Sequence, residues 1–116
     1  MANFTSEEIR QYFTPQGILQ QAVADYKYRS EQADLAAAIA EALLQDRFLV
    51  AEAGTGVGKT LAYLLPAIKW AKTQRQKVVI TTKTKALQQQ IMEKDIPDLV
   101  RALDIDVIYV EAKGRD

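Results

Sequence analysis

The run Glu52-Ala53-Gly54-Thr55-Gly56-Val57-Gly58-Lys59-Thr60 is the stretch of this chain in which the order of residues already implies a chemistry. Glycines at every second position let the backbone curl so that successive N–H groups point into one concavity sized for phosphate oxygens. Lys59 adds a cation that can reach the β- and γ-phosphates of a nucleotide, and Thr60 adds a hydroxyl able to ligate Mg²⁺. Ala53 heads the run, so the form is Gly or Ala, four free positions, then Gly-Lys-Thr.

A loop of this kind needs a strand before it and a helix after it. Arg47-Phe48-Leu49-Val50-Ala51 is a short apolar run that predicts a buried strand, and Leu61, Leu64, Leu65 and Ile68 recur at helical spacing beyond the loop. The amides from Gly54 to Thr60 then face the phosphates at a helix N-terminus, where the dipole also favours an anion. Pro66 removes one hydrogen bond inside that helix and predicts a kink, not a site.

Two further apolar runs extend the frame. Residues 76–82 are rich in β-branched residues and follow a helix of βαβ length, and residues 106–111 read as a third strand. The fold class expected is α/β, with a parallel sheet of about three strands flanked by helices. Lys83-Thr84-Lys85-Ala86-Leu87-Gln88 then lies at the carboxyl end of a strand, the edge where ligands bind in open α/β sheets. Its Lys, Thr and Gln side chains suit phosphodiester oxygens, which are contacted without reading sequence, although a solvated polar loop would look the same. Glu111 closes the third run as a metal-organising carboxylate would, but a single acidic residue after a strand is common and carries no assignment.

Upstream, Leu35, Ala36, Ile39 and Leu43 give one apolar face to a helix from about Glu31 to Leu44, with Ser30 as its N-cap. Gln32 falls in its first turn and carries a donor and an acceptor, the pair needed to read an adenine edge. Only its position upstream of the phosphate loop raises it above an ordinary solvated amide. Before it, Thr5 and Glu8 stand at capping-box spacing, a short helix ends near Phe13, Thr14-Pro15-Gln16-Gly17 is turn chemistry, and a second short segment runs from Ile18 to Val23. Residues 1–25 are expected to be a helical arm packed on the flank of a domain formed by residues 26–116.

Composition narrows the class. The 116 residues are 48% hydrophobic and 26% charged, which suits one soluble globular domain. Fifteen basic and 15 acidic residues with no His cancel, so bulk charge gives no sign of nucleic-acid binding and any such role needs a local patch. There is no cysteine, which excludes disulfides and thiolate ligands within these residues and fits a reducing cytoplasm. No apolar run approaches the roughly 20 residues of a membrane span, and the first residues lack signal-peptide character. A soluble, cytoplasmic protein is expected.

Taken together, Tyr28-Arg29-Ser30-Glu31-Gln32, Glu52 to Thr60, Thr81 to Gln88 and Lys113-Gly114-Arg115 resemble, in order and spacing, the start of the DinG/YoaA-type helicases, bacterial relatives of the XPD superfamily 2 DNA helicases. The resemblance runs from about Phe13 to Arg115 and implies a partial RecA-like P-loop NTPase domain. It implies that Gln32 recognises adenine, that Ala53, Gly54, Thr55, Gly56, Val57, Gly58, Lys59 and Thr60 bind ATP with Mg²⁺ on Thr60, and that Thr82, Lys83, Thr84 and Gln88 lie along single-stranded DNA. The family it implies translocates 5′ to 3′ on single-stranded or forked DNA in repair and replication. Its acidic Asp-Glu-Ala-His box, the cysteines of its 4Fe–4S cluster and its second motor domain are not among these residues, and Glu111 does not match the box. The chain is therefore expected to be the amino-terminal part of a first motor domain, inactive alone and prone to self-association. A small nucleotide-binding regulatory module and a fragment of a small-molecule kinase are the other readings; downstream Asp-Glu-Ala-His and cysteines, or a kinase lid, would separate them.

Overall fold

The computed structural model describes residues 4–47, 49, 59–82 and 84–112. Among them are α1 (Ser6–Tyr12), α2 (Ile18–Ala22), α3 (Ser30–Leu44), α4 (Lys59–Gln74), α5 (Lys85–Gln90) and α6 (Ile96–Leu103), with a π-helical turn over Ile91–Asp95 joining the last two. α3 packs on α4, α1 lies on α3, α2 meets α6, and the π turn touches α4, α5 and α6.

Local sequence explains most of these elements. The Thr5 hydroxyl accepts the Glu8 N–H at 3.1 Å, as the capping spacing predicts, and α1 stops at Phe13 before the Pro-containing turn. Gly17 closes that turn with its N–H on the Thr14 carbonyl at 2.8 Å. A Cβ there would lie 2.4 Å from the Gln11 carbonyl oxygen and 2.5 Å from that of Tyr12, so the close return of the chain admits only glycine. α3 begins one residue earlier than expected: Ser30 is inside the helix, and the Arg29 carbonyl accepts from Gln32 and Ala33. Pro66 is fully buried within α4, which continues through it from Lys59 to Gln74. Pro97 lies in the first turn of α6, where its missing N–H falls beside the widened π turn.

The core is shared between the N-terminal arm and the later helices. Ile9, Phe13 and Leu19 join Leu64, Leu65 and Leu99 in a single fully buried cluster. α3 buries Ala33, Ala36, Ala37 and Ala40, while Leu35, Ile39 and Leu43 stay half-buried. Of the expected apolar face Ala36 is fully buried, and the buried stripe is rotated from it toward Ala33, Ala37 and Ala40. Small side chains allow close approach to α4, whose Ala62 is also fully buried, and the distance between helix axes follows the side chains at the contact.

The expected parallel sheet is not seen. Among the described residues no strand forms: residues 76–82 and 105–112 are non-helical and unladdered where described, and Arg47 and Leu49 likewise carry no strand. The apolar runs that suggested buried strands leave Val79 86%, Ile108 99% and Val110 85% exposed. β-Branched composition records suitability for a pleated, half-buried surface, not a local conformation, and no neighbouring strand here provides such a surface. The sheet expectation is corrected accordingly to a helical arrangement. No described helix is long and apolar enough to cross a membrane.

Candidate nucleotide and nucleic-acid site

Lys59 and Thr60 are the first two residues of the 16-residue α4. Lys59 is exposed and Thr60 half-buried, so the cation faces outward at the end of a helix whose body is anchored by Leu64, Leu65 and Ile68. An ammonium and a hydroxyl at a helix N-terminus can meet an anion in concert with the helix dipole. Ala53, Gly54, Thr55, Gly56, Val57 and Gly58 lie outside the described residues, as does Lys83.

Gln32 sits in the first turn of α3 and is only 3% exposed. An exposed helix-start amide is the common case; this one is held inside, on the helix that packs directly against α4. Gln32 and the Lys59–Thr60 pair are therefore carried by two elements in contact.

Thr82, Thr84 and Gln88 gather around the start of α5. The Thr84 hydroxyl caps the helix by accepting the Leu87 N–H at 3.1 Å, and the Thr82 hydroxyl donates to the Thr84 carbonyl at 3.4 Å. Gln88 donates from Nε2 to the Ala112 carbonyl at 3.3 Å, which ties α5 to the segment after α6. Thr84 is exposed, whereas Thr82 and Gln88 are half-buried. This cluster reaches α4 through the π turn that follows α5. Among the described residues no group of His, Cys, Asp or Glu is arranged to hold a metal ion, and Glu111 stands apart from Lys59 and Thr60 in the sequence with no assignment to them.

Two groupings lie outside the residues singled out in the sequence. Asp95, 5% exposed in the π turn, accepts from Gln90 Nε2 at 3.3 Å, and burial pushes its carboxyl above the ordinary range against the pull of Gln90 and Lys94. Asp98 is also penalised by burial, but hydrogen bonds from Lys94 at 3.0 Å and Arg101 at 2.8 Å outweigh that and hold its carboxyl below the ordinary range. The second grouping joins α1 to α4. Tyr12 donates to Glu8 Oε2 at 2.7 Å, and the Lys69 ammonium lies 3.6 Å from the same oxygen and 5.5 Å from the centre of the Tyr12 ring. Burial, then the Glu8 bond, raise the Tyr12 phenol, with Lys69 opposing. Glu8 and Tyr12 stand at i, i+4 on α1, whereas Lys69 comes from α4, far along the chain.

Comparison with known proteins follows the same residues. The chain is 41% identical over 103 residues, 89% of its length, to the ATP-dependent DNA helicase YoaA of Escherichia coli, of which it spans 16%. It is 48% identical over 75 residues, 65% of its length, to the ATP-dependent helicase DinG of Mycobacterium tuberculosis, of which it spans 11%. It is 40% identical over 99 residues to the ATP-dependent DNA helicase DinG of Salmonella choleraesuis, covering 84% of this chain and 14% of that one. No solved structure matches it. The DEAD/DEAH box helicase family matches residues 32–113, from the buried Gln32 through α4 to the far side of α6, and the chain belongs to that family.

Proposed function

We propose that this chain is the nucleotide-binding, amino-terminal part of the first motor domain of an ATP-dependent DNA helicase that moves 5′ to 3′ on single-stranded or forked DNA in repair and replication. The observation that carries the reading is the family match, which takes in Gln32, Lys59, Thr60 and the Thr82–Gln88 cluster in a single span. Its similarity to proteins named as ATP-dependent DNA helicases supports the substrate class, and membership of the helicase family decides against the kinase alternative.

In this reading Gln32 recognises adenine, the loop from Ala53 to Thr60 cradles the triphosphate, and Lys59 neutralises charge on its outer phosphates. Thr60 would hold Mg²⁺ through its hydroxyl, and the ion would supply positive charge to offset that of the phosphates. Thr82, Lys83, Thr84 and Gln88 contact the DNA backbone. A 4Fe–4S cluster belongs to the reading only outside these residues, because the chain contains no cysteine to ligate one. The isolated chain binds nucleotide but turns over little, because Thr60 and phosphate oxygens alone would hold the metal.

Direction is tested with the full-length protein on duplexes carrying a single-stranded 5′ or 3′ tail. The 5′-tailed duplex is expected to unwind with ATP and the 3′-tailed one to persist; the opposite preference refutes the direction. The isolated chain is also expected to self-associate through the exposed runs at 78–80 and 108–110. Sedimentation that shows a monomer at every concentration contradicts this.

A further inference from the structure

We propose that the N-terminal arm is a strut that sets Gln32 against the phosphate-loop helix, with Glu8, Tyr12 and Lys69 as positioning residues for adenine selection. The inference rests on the reading of Gln32 as the adenine-recognising side chain.

Gln32 lies between two tethers, and both lead to the arm. Six residues before it, the buried Tyr26 hydroxyl donates to the carbonyl of Phe13, the residue that ends α1. Two residues after it, Asp34 pairs with Arg10 of α1. Between these, Ile9 and Phe13 are fully buried and α1 lies along α3. The start of α3 therefore cannot shift or rotate without breaking contacts to α1.

The arm is in turn fixed to α4. Lys69 places its ammonium beside the Glu8 carboxylate and over the Tyr12 ring, and the Tyr12 hydroxyl holds the same carboxylate oxygen. The Lys69 side chain is 20% exposed and that of Glu8 40%, so the ammonium is the more shielded partner and packs over the Tyr12 ring. The chain of contacts runs from Gln32 through α1 to Lys69, on the helix that opens with Lys59 and Thr60. α1 thereby braces two elements that must hold the base and the phosphates of one nucleotide at once. Loosening it leaves Lys59 and Thr60 at the start of α4 but lets the base-reading end drift, a small displacement with a large effect on recognition.

The test measures ATP and GTP hydrolysis by the full-length protein and its variants, with DNA saturating and melting temperature followed alongside. Gln32→Ala reports on the adenine reading itself: it is expected to collapse the preference for ATP, and an unchanged preference overturns that reading and the strut with it. Lys69→Met and Tyr12→Phe report on the strut. Each is expected to raise KM for ATP about three- to tenfold with kcat within about twofold, to leave GTP kinetics nearly unchanged, and so to erode the ATP preference. Lys69→Arg, which keeps the charge over the ring, is expected to restore it. If Lys69→Met does not fold, the isosteric Glu8→Gln carries the same expectation. Preference for ATP that survives the arm variants while Gln32→Ala abolishes it overturns the strut and leaves the adenine reading standing. A loss of kcat on both nucleotides in step with melting temperature overturns it as well, since that is the signature of a merely structural role.

Discussion

Asp95 is a carboxylate placed where ionisation is costly. It is buried in the π turn, with Lys94 and Asp98 as the neighbouring charges and Gln90 as a hydrogen-bond donor. Because its folded pKa is raised, the folded state favours the protonated acid. The cost of burying the anion is present in full above the folded pKa and is relieved as pH falls through that value into the ordinary carboxylate range. Asp95→Asn, which keeps the shape and removes the charge, is expected to raise the melting temperature at pH 7, with the gain shrinking as the solution is acidified. A lower melting temperature at neutral pH would show that the anion contributes to the fold, and a gain independent of pH would show that the charge is not its source. The sequence shows Lys94 and Arg101 at helical spacing from Asp98, but the burial of Asp95 depends on which side of the helix the core covers and is not written in local spacing. The reading of Lys59 and Thr60 rests on the opposite kind of signal, spacing along the chain.

Three helices end in the same way. Asp46 after α3, Arg75 after α4 and Asp104 after α6 have φ of 55°, 54° and 53°, in the left-handed region. Each is followed by an N–H that reaches back five residues: Arg47 to the Ala42 carbonyl at 2.9 Å, Gln76 to Ala71 at 3.1 Å and Ile105 to Val100 at 3.3 Å. That is the helix-ending geometry in which glycine is usual and aspartate is tolerated better than arginine. Arg75→Gly is therefore expected to stabilise the protein by about 0.5–1 kcal/mol, after the greater freedom of glycine in the unfolded chain is subtracted. Urea unfolding measures this as a higher midpoint, and a lower one would mean that Arg75 makes a compensating contact. The helices themselves were readable from caps and periodicity, at Thr5, at Thr84 and along Leu64, Leu65 and Ile68. The buried face of α3 was not, because alanines carry little hydrophobic signal and are selected by how closely α4 approaches.

Across the described residues, the N-terminal arm, α3, α4 and α6 share one core, and of the residues assigned to nucleotide and DNA, Gln32, Lys59, Thr60 and Gln88 are carried by helices that touch that core or each other. The exposure of Ile108 and Val110 marks where sequence pattern and structure part. A strand is a relation between segments, so an apolar run predicts one only if a neighbour is in place. The family was more legible than the fold, since the likeness attaches to short motifs and not to the pairing of strands. The central claim is that Lys59 holds the phosphates of an ATP whose hydrolysis is coupled to DNA. The direct measurement is single-stranded-DNA-stimulated ATP hydrolysis by the full-length protein, wild type against Lys59→Ala. The account predicts that the substitution lowers the DNA-stimulated rate by about a hundredfold or more while the protein stays folded; hydrolysis that is equally fast in the variant, or indifferent to DNA in the wild type, would contradict it.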